Sequence, residues 1–526
     1  NTSFGHYTLV DNTTNNNTAV GFFALRANTT GTANNAVGVF SLRTNTIGNR
    51  NNSFGYYALK ANTTGNNNSA FGHLSLSSNS IGRGNSGFGY KSLSNNTTGV
   101  HNSAFGYFAL SSNTTGNYNN AFGAYALNKN TSGVNNVAVG NASQYENLTG
   151  VRNTSTGFDA SRLNTAGSNN SSFGYKALRN NTTNNNSAFG YLALTANTTG
   201  RANSAFGTSA LKENVSGYAN SAFGYLSLAS NTTGIVNSAF GRGSLGRNTF
   251  GRYNSAFGYN SMLYNITGDN NCAFGLNSLG NNSSGNKNNA FGRSALEANT
   301  TGSNNSAFGH YALKKNTFGN YLSAFGHRSL ENNTTGYRNV AIGAFSQFTA
   351  TFGAYNVSVG EGSLYLNVTG NKNTAVGHRA LFNNTTNFNN AFGYKSLTAN
   401  TTGVANSAFG SYALLNNTTG NYNNAFGYKA LLANTSGYNN SAFGNLALLS
   451  NTIGSSNSAF GYNSLRYNTT GNGNNAFGFR ALLSNTSGYN NNAFGAYALK
   501  NNLVGLGNNA FGRGALQNNT TNYNNA

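Results

Sequence analysis

Acidic residues and histidines, the side chains with which a catalytic or metal site is usually built, are few and scattered in this chain. Its 526 residues include eight acids and six histidines. No two acids recur at the fixed separation that paired catalytic carboxylates or a calcium loop require. The histidines stand alone, whereas metal ligation needs clusters. The sequence therefore predicts no enzyme, cofactor or metal site in residues 1–526.

Asparagine followed by two threonines is the most frequent chemical motif, and it matches the N-glycosylation sequon. Candidate sites for glycosylation are Asn28, Asn62, Asn113, Asn197 and Asn231. We favour a different interpretation, in which the motif is a turn that needs one hydroxyl beside a ladder of asparagines. A glycosylated surface-layer protein and an ice-binding solenoid are secondary alternatives. Adjacent threonines face opposite ways in an extended chain, which argues against an ice-binding face.

The balance of charge is strongly basic, with 30 Lys and Arg residues and a formal net charge of +22. Such a charge is compatible with an anionic partner, such as a polysaccharide or another anionic surface, or with simple solubility. The basic residues are spread and do not interleave regularly with aromatic residues, which argues against nucleic acid. The frequent Tyr and Phe residues form an aromatic stripe suited to sugar stacking or to lateral packing.

One 17-residue sequence recurs along the whole chain, and it must position all of these residues. A clean copy is 424–440, and its residues define repeat positions 1 to 17, with Gly427 at position 4. Steps between copies are 17 residues, apart from three of 16, so the chain holds 31 copies. Such periodicity is typical of a stacked, quasi-one-dimensional array. We predict one array over 1–526, and because it starts and stops within a copy we expect a segment of a longer chain.

Apolar residues return at two repeat positions and define the predicted core. Position 3 is Phe in 24 copies and position 8 is Leu in 27. Two glycines in most copies exclude a helix, so we expect two short extended stretches, at positions 1 to 6 and 6 to 10. The fold class is therefore predicted to be all-β, a parallel β-solenoid of about 31 coils. Its core is predicted to contain Phe54, Leu59, Phe71, Leu76, Phe426 and Leu431.

Asparagine recurs almost without exception at repeat positions 11 and 17, and glycine recurs at position 14. Stacked amides can hydrogen-bond to the copies on either side, and Asn and Gly suit left-handed turns. We predict turn and ladder roles for Asn28, Gly31, Asn434, Gly437 and Asn440. In the three 16-residue steps Asn replaces the position 14 glycine, which indicates an alternative turn of the same loop.

Small residues at repeat position 2 and glycine at position 4 raise the question of what packs against them. If the position 3 side chain points inward, its two neighbours in an extended strand point outward. An outer face kept small in every copy indicates another surface packed on it. This motivates the hypothesis that copies of the chain associate laterally, for example as a trimer.

Two irregular copies indicate a larger duplication. Gln144 and Gln347 replace the position 8 leucine, 203 residues apart, and two of the 16-residue steps are separated by the same distance. A bend, a bound partner and sequence drift are the alternatives for the irregular stretches near 140–160 and 343–363.

Copies such as 373–381, Asn-Thr-Ala-Val-Gly-His-Arg-Ala-Leu, resemble the head repeats of trimeric autotransporter adhesins. They are also similar to repeats in the fibre shafts of some viruses and phages. The adhesin resemblance implies a parallel β-roll, trimerised and presented on a cell surface for attachment. Here the period is 17 residues, and Phe usually replaces the Val or Ile of the adhesin pattern.

We therefore predict an extracellular, cell-surface structural or adhesive filament without enzymatic activity. A viral or phage fibre shaft is the main alternative. A glycan-modifying enzyme on a β-helix would show paired carboxylates in one coil, and the sequence has none. No apolar run approaches the length of a membrane span.

Overall fold

The structure, a computed structural model, describes all residues 1–526. It contains 31 three-residue strands and no helix. The chain forms two compact units, Asn1–Thr267 and Gly268–Ala526, which are described separately. We call each turn of the solenoid a coil and number it by its strand.

The strands lie at repeat positions 1 to 3 of each copy. Those of the first unit are β1 Thr2–Phe4, β2 Thr18–Val20, β3 Asn35–Val37, β4 Asn52–Phe54, β5 Ser69–Phe71, β6 Ser86–Phe88, β7 Ser103–Phe105, β8 Asn120–Phe122, β9 Val137–Val139, β10 Thr154–Thr156, β11 Ser171–Phe173, β12 Ser187–Phe189, β13 Ser204–Phe206, β14 Ser221–Phe223, β15 Ser238–Phe240 and β16 Ser255–Phe257. Those of the second are β17 Cys272–Phe274, β18 Asn289–Phe291, β19 Ser306–Phe308, β20 Ser323–Phe325, β21 Val340–Ile342, β22 Val357–Val359, β23 Thr374–Val376, β24 Asn390–Phe392, β25 Ser407–Phe409, β26 Asn424–Phe426, β27 Ser441–Phe443, β28 Ser458–Phe460, β29 Asn475–Phe477, β30 Asn492–Phe494 and β31 Asn509–Phe511.

Within each unit every strand pairs in parallel with the strand of the next coil, and equivalent residues face each other. In the first unit Ser86 pairs with Ser103 and Phe88 with Phe105. In the second Asn424 pairs with Ser441 and Phe426 with Phe443. Backbone hydrogen bonds between coils continue outside the strands, for example from Leu59 N to Ser75 O at 3.0 Å. The predicted all-β, parallel β-solenoid with a 17-residue spacing is confirmed.

The interior is built from repeat positions 2, 7 and 8, and the phenylalanine is not part of it. Leu59, Leu76 and Leu431 are fully buried, as are Ala70 and Ala425 at position 2.

The prediction that Phe54, Phe71 and Phe426 enter the core is therefore wrong. Position 2 points inward, so position 3 points to the outer face, and Phe54 is 36% exposed. The physical reason is space, because the leucine and two asparagines per coil leave room inside only for a methyl or hydroxymethyl group.

The glycine at repeat position 4 is required by the approach of the next coil, not by a partner outside. A Cβ on Gly427 would lie 2.6 Å from the carbonyl carbon and oxygen of Gly444, at a φ of +141°. Only glycine meets both conditions. Position 2 also faces inward. The small residues at positions 2 and 4 are therefore not evidence for lateral association, and the inference based on them is wrong.

The second predicted extended stretch, positions 6 to 10, is a tight series of turns. Tyr57 at position 6 and Leu59 at position 8 have φ values of +57° and +49°, and Asn67 at position 16 has +58°. Such left-handed residues alternate with residues of negative φ and turn the chain without forming a strand. Equivalent non-glycine residues recur in this conformation along both units, where the surrounding stack holds them.

Both asparagine positions form buried amide ladders. At position 11, Asn434 Nδ2 donates to Asn417 Oδ1 at 2.8 Å and to Gly437 O at 2.9 Å. Asn28 donates in the same way to Asn12 Oδ1 and to Gly31 O. The ladder therefore joins neighbouring coils and also closes the turn within each coil.

At position 17, Asn440 N donates to Asn423 Oδ1 and Asn440 Nδ2 to Gly454 O, at 3.0 and 2.8 Å. The glycine at position 14 packs against these amides. A Cβ on Gly437 would meet Asn434 Oδ1 at 2.5 Å, and its φ is not positive. Close packing, not a left-handed turn, is therefore what requires Gly31 and Gly437.

The 16-residue steps interrupt the position 11 ladder. Asn164 Oδ1 and Asn367 Oδ1, each just before a short step, are buried without a hydrogen-bond partner. In the shortened loop Asn184 Oδ1 accepts from Ser168 N at 2.7 Å. The alternative turn thus keeps its backbone hydrogen-bonded, but the amide ladder loses one contact.

Gln144 and Gln347 lie in the core in place of leucine. Each donates its Nε2 to a carbonyl of its own coil, Val137 O at 2.8 Å and Val340 O at 2.9 Å. The Oε1 atoms of both are buried without a partner. The two irregular copies therefore place polar side chains in the leucine column.

Replacing Gln144 or Gln347 with leucine is expected to stabilise the surrounding coils by about 1–2 kcal/mol, because a buried unpaired oxygen is removed and an apolar side chain is restored. Native-state hydrogen exchange of β9 and β21 measures this change. Gln→Ala at the same positions is the control, and is expected to destabilise by leaving a cavity. A loss of stability on Gln→Leu would show instead that the Nε2 hydrogen bond dominates.

Candidate functional surface

A column of phenylalanines on the outer face of the strands is the most regular surface feature. Phe54, Phe71, Phe88, Phe105 and Phe122 stack in sequence with ring centroids 4.6–4.9 Å apart and planes within 8° of parallel. Phe122 is 41% exposed. In the second unit the column is unbroken over eight coils, from Phe392 to Phe511. We call this feature the phenylalanine column.

The column exposes ring edges and covers ring faces. Inside an unbroken run, each ring is sandwiched between the rings of neighbouring coils, at centroid distances that leave no space for an inserted group. Sugar stacking on an aromatic platform needs a free face. The column is therefore a continuous apolar ridge, suited to packing against another surface.

A second aromatic column runs along repeat position 5. Tyr56, His73, Tyr90 and Tyr107 stack with centroids 5.2–5.3 Å apart. Its members are more exposed than the phenylalanines, and other residue types interrupt it more often. Between Tyr56 and Tyr107 the ring faces that point at each other are covered, so this run offers no free platform between its rings for sugar stacking.

Most of the cations lie beside aromatic rings or acids. Lys129 Nζ contacts Glu146 at 2.8 Å, and Asp159 lies between Arg162 and Arg179 at 3.2 and 3.6 Å. Elsewhere the contact is with a ring, as for Arg247 over Tyr264 at 4.6 Å. Most of the acids thus serve as ion-pair partners on the surface.

Four titratable groups are clearly perturbed. The hydrogen bond with Tyr57 raises the pKa of Tyr56, and desolvation raises the pKa of Tyr107. Desolvation, and then the charges of Arg293 and His327, lower the pKa of His310 below its usual value. The hydrogen bond to Glu146 raises the pKa of Lys129, against partial desolvation. His310 and His327 stack at 5.6 Å, but they belong to no group of three ligand-type residues that could hold a metal ion. The pair has the character of a packed surface contact.

No group of three or more His, Cys, Asp or Glu residues is close enough to hold a metal ion. The single cysteine, Cys272, is half-buried at the start of β17. The structure contains no helix with the length and apolar character needed to cross a lipid bilayer.

The five sequon asparagines are fully buried at position 11 of the first unit. In Asn62 the Nδ2 atom donates to Asn45 Oδ1 at 2.7 Å and to Gly65 O at 3.0 Å. The same pair of bonds holds Asn28, Asn113, Asn197 and Asn231. A glycan needs this nitrogen and open space around it, so none of the five is available for glycosylation in the folded protein.

The sequence reasoning missed the direction of the phenylalanine and the pairing of cations with rings. A signal for the first was present, since position 2 varies only among Ala, Ser and Gly, as an interior position with little space must. No comparable signal pointed to the cation–ring contacts, because they join variable positions of neighbouring coils, as between Arg247 and Tyr264.

Comparison with models of known protein families gives no match, and comparison with curated proteins gives none either.

Proposed function

We propose that this chain is a non-enzymatic structural filament module that assembles side by side with further copies through the phenylalanine column. The observation that carries the proposal is the column itself, a ridge of parallel rings spaced 4.6–4.9 Å apart on the open face of the strands. Large contiguous apolar surfaces on soluble proteins mark interaction sites.

The spacing of the rings favours a second copy as the partner. A ridge that repeats at the strand spacing of a parallel sheet, ~4.8 Å, matches only a surface with the same repeat. A second copy offers such a surface, and its rings can pack edge against edge over many coils in register. Each coil then adds a small contact of the same kind, and the contacts sum along the stack.

The exposed area is of the right order. With about 200 Å² per aromatic side chain and roughly a third of it exposed, the eight rings from Phe392 to Phe511 offer about 500 Å². A standard interface buries about 800 Å² on each partner. The position 1 side chains flank the rings on the same face and supply area towards that total.

An extracellular, cell-surface location belongs to the same proposal and is supported by the resemblance to adhesin head repeats. A viral or phage fibre shaft is the alternative setting for the same side-by-side contact. The non-enzymatic assignment is supported by the ion pairs that occupy most of the acids.

The test changes three neighbouring rings in the first unit, Phe88→Thr, Phe105→Thr and Phe122→Thr, in one variant. Threonine already occupies this position as Thr156, so the fold accepts it. Sedimentation velocity over a range of protein concentrations is expected to show assembly of the unchanged protein, weakened at least tenfold in the variant.

The matched control replaces three rings of the position 5 column, Tyr56→Thr, Tyr90→Thr and Tyr107→Thr; Thr208 occupies this position naturally. It is expected to assemble like the unchanged protein. A protein that stays monomeric, or two triple variants with equal effects, would contradict the proposal.

A further inference from the structure

Three cations form a column on consecutive coils near the start of the first unit. Arg26, Arg43 and Lys60 all occupy repeat position 9, and backbone hydrogen bonds join their coils directly, from Ala27 N to Arg43 O at 3.1 Å and from Thr44 N to Lys60 O at 3.2 Å. All three are half-buried. We call this feature the cation column.

A column of stacked aromatic rings at position 6 supports the cations from one side. The rings of Tyr7, Phe23, Phe40 and Tyr57 follow each other at 4.9, 5.5 and 4.9 Å. Arg26 lies 4.9 Å from the Phe23 ring, Arg43 lies 5.3 Å from Phe40, and Lys60 lies 4.4 Å from Tyr57. The rings therefore pack against the charged groups, which stay partly exposed.

None of the three cations has an acidic partner. The six ion pairs of the structure lie elsewhere, and the nearest acid in sequence, Asp11, is exposed and pairs with none of them. No protein acceptor bonds to the guanidinium groups of Arg26 or Arg43.

Elsewhere in the same solenoid, an acidic side chain of the protein itself neutralises a similar pair of stacked cations. Arg162 and Arg179 also occupy position 9 of consecutive coils, and there Asp159 replaces the position 6 ring and contacts both of them. Like charges on neighbouring strands are destabilising. In the cation column the corresponding place is taken by Phe23 and Phe40, and no acid of the chain forms an ion pair with the three cations, so they are free to pair with an anionic group from outside.

We propose that the cation column binds an acidic polysaccharide, with carboxylate or sulfate groups contacting Arg26, Arg43 and Lys60 in succession. Guanidinium groups bind such planar or trigonal oxygen sets through paired hydrogen bonds. An extended polymer that lies along the column can place one anionic group beside each of the three cations. The three cations span roughly 10 Å at one strand spacing per coil.

The ring column argues for a polysaccharide over single-stranded nucleic acid. Proteins that bind single strands stack bases on free aromatic faces. Here each face of Phe23 and Phe40 is covered by the next ring of the column. Contact is therefore limited to the cations, which recognise anionic groups without a base.

The experiment measures binding of a heparin octasaccharide and an oligogalacturonate hexamer to the full chain by isothermal titration calorimetry. One variant carries Arg26→Gln, Arg43→Gln and Lys60→Gln. Its matched control carries the same loss of charge at separated cations, Lys429→Gln, Arg466→Gln and Lys500→Gln. The first is expected to weaken binding of at least one acidic probe at least tenfold and the control less than twofold.

A second variant, Phe40→Asp, copies the arrangement around Asp159 and supplies the missing acid internally. It is expected to weaken binding at least tenfold while the thermal transition is unchanged or raised. Equal losses in the two triple variants, no binding of either acidic probe, or tighter binding of a single-stranded octanucleotide would overturn the proposal. Sedimentation of the same variants reports self-association separately.

Discussion

Replacing Gly360 with alanine is expected to open the coils around it at a cost of about 2–6 kcal/mol, the sum of backbone strain and overpacking. The new Cβ would lie 2.6 Å from Gly377 O and 2.7 Å from Gly377 C, at a φ of +127°. Neither neighbour can move without breaking the stack, since both are backbone atoms of the next coil. Hydrogen exchange of β22 and β23 measures the loss.

Gly362, two residues further along the same coil, provides the matched control. Its φ is +62° and the nearest atom to a new Cβ is a ring carbon of Phe382 at 3.4 Å. Other coils carry larger residues here, such as Ala142 at +53°. Gly362→Ala is therefore expected to cost about 1–2 kcal/mol, the strain of one left-handed residue, without the overpacking.

Gly512→Ala separates backbone strain from close packing against the next coil, because its φ is +126° but no atom lies within 4 Å of the new Cβ. Only the strain, about 1–3 kcal/mol, is expected there. Equal effects of the substitutions at Gly360 and Gly362 would show that close approach between coils is not what selects glycine.

Replacing Asn434 with alanine is expected to destabilise its coils by about 2–5 kcal/mol, because buried groups on both sides lose partners. Asn434 Nδ2 donates to Asn417 Oδ1, and Asn434 Oδ1 accepts from Asn451 Nδ2, both at 2.8 Å. Denaturant unfolding with hydrogen exchange of the neighbouring coils measures the effect.

The reverse substitution can be made at Ala350, an alanine that naturally interrupts the asparagine ladder at position 11. Asn333 Oδ1 in the preceding coil is buried without a partner. Ala350→Asn is expected to restore that bond and to stabilise by about 1–3 kcal/mol. If both substitutions left stability unchanged, the ladder would contribute nothing net and the asparagines would require another explanation.

The period, the parallel stacking and the buried leucine follow from the sequence because they depend on what recurs. A 17-residue repeat with Leu59 and its equivalents leaves few ways to bury apolar surface other than stacking. The amides of Asn28 and Asn434 were also placed in ladders from their recurrence alone. Predicting these features does not require knowing which side chains point into the coil and which point out.

The outward orientation of the Phe54 side chain and its equivalents could not be predicted from recurrence. Large apolar residues usually lie inside, and that rule places phenylalanine in the core. The structure reverses it because each coil is narrow, and Ala70 with Leu76 and two amides already fills it. The left-handed residues at positions 6 and 8 were equally hidden, since lysine, tyrosine and leucine carry no turn signal.

In both units the contacts of a coil are made mainly with its equivalents one repeat away. A deletion or duplication of whole copies therefore joins surfaces that already fit, and creates no new packing problem. The 203-residue spacing of Gln144 and Gln347 has the character of such an event. The length of the chain can thus change by whole copies while each surviving copy keeps its structure, so any homologous chains are expected to differ in copy number before they differ in the sequence of a copy.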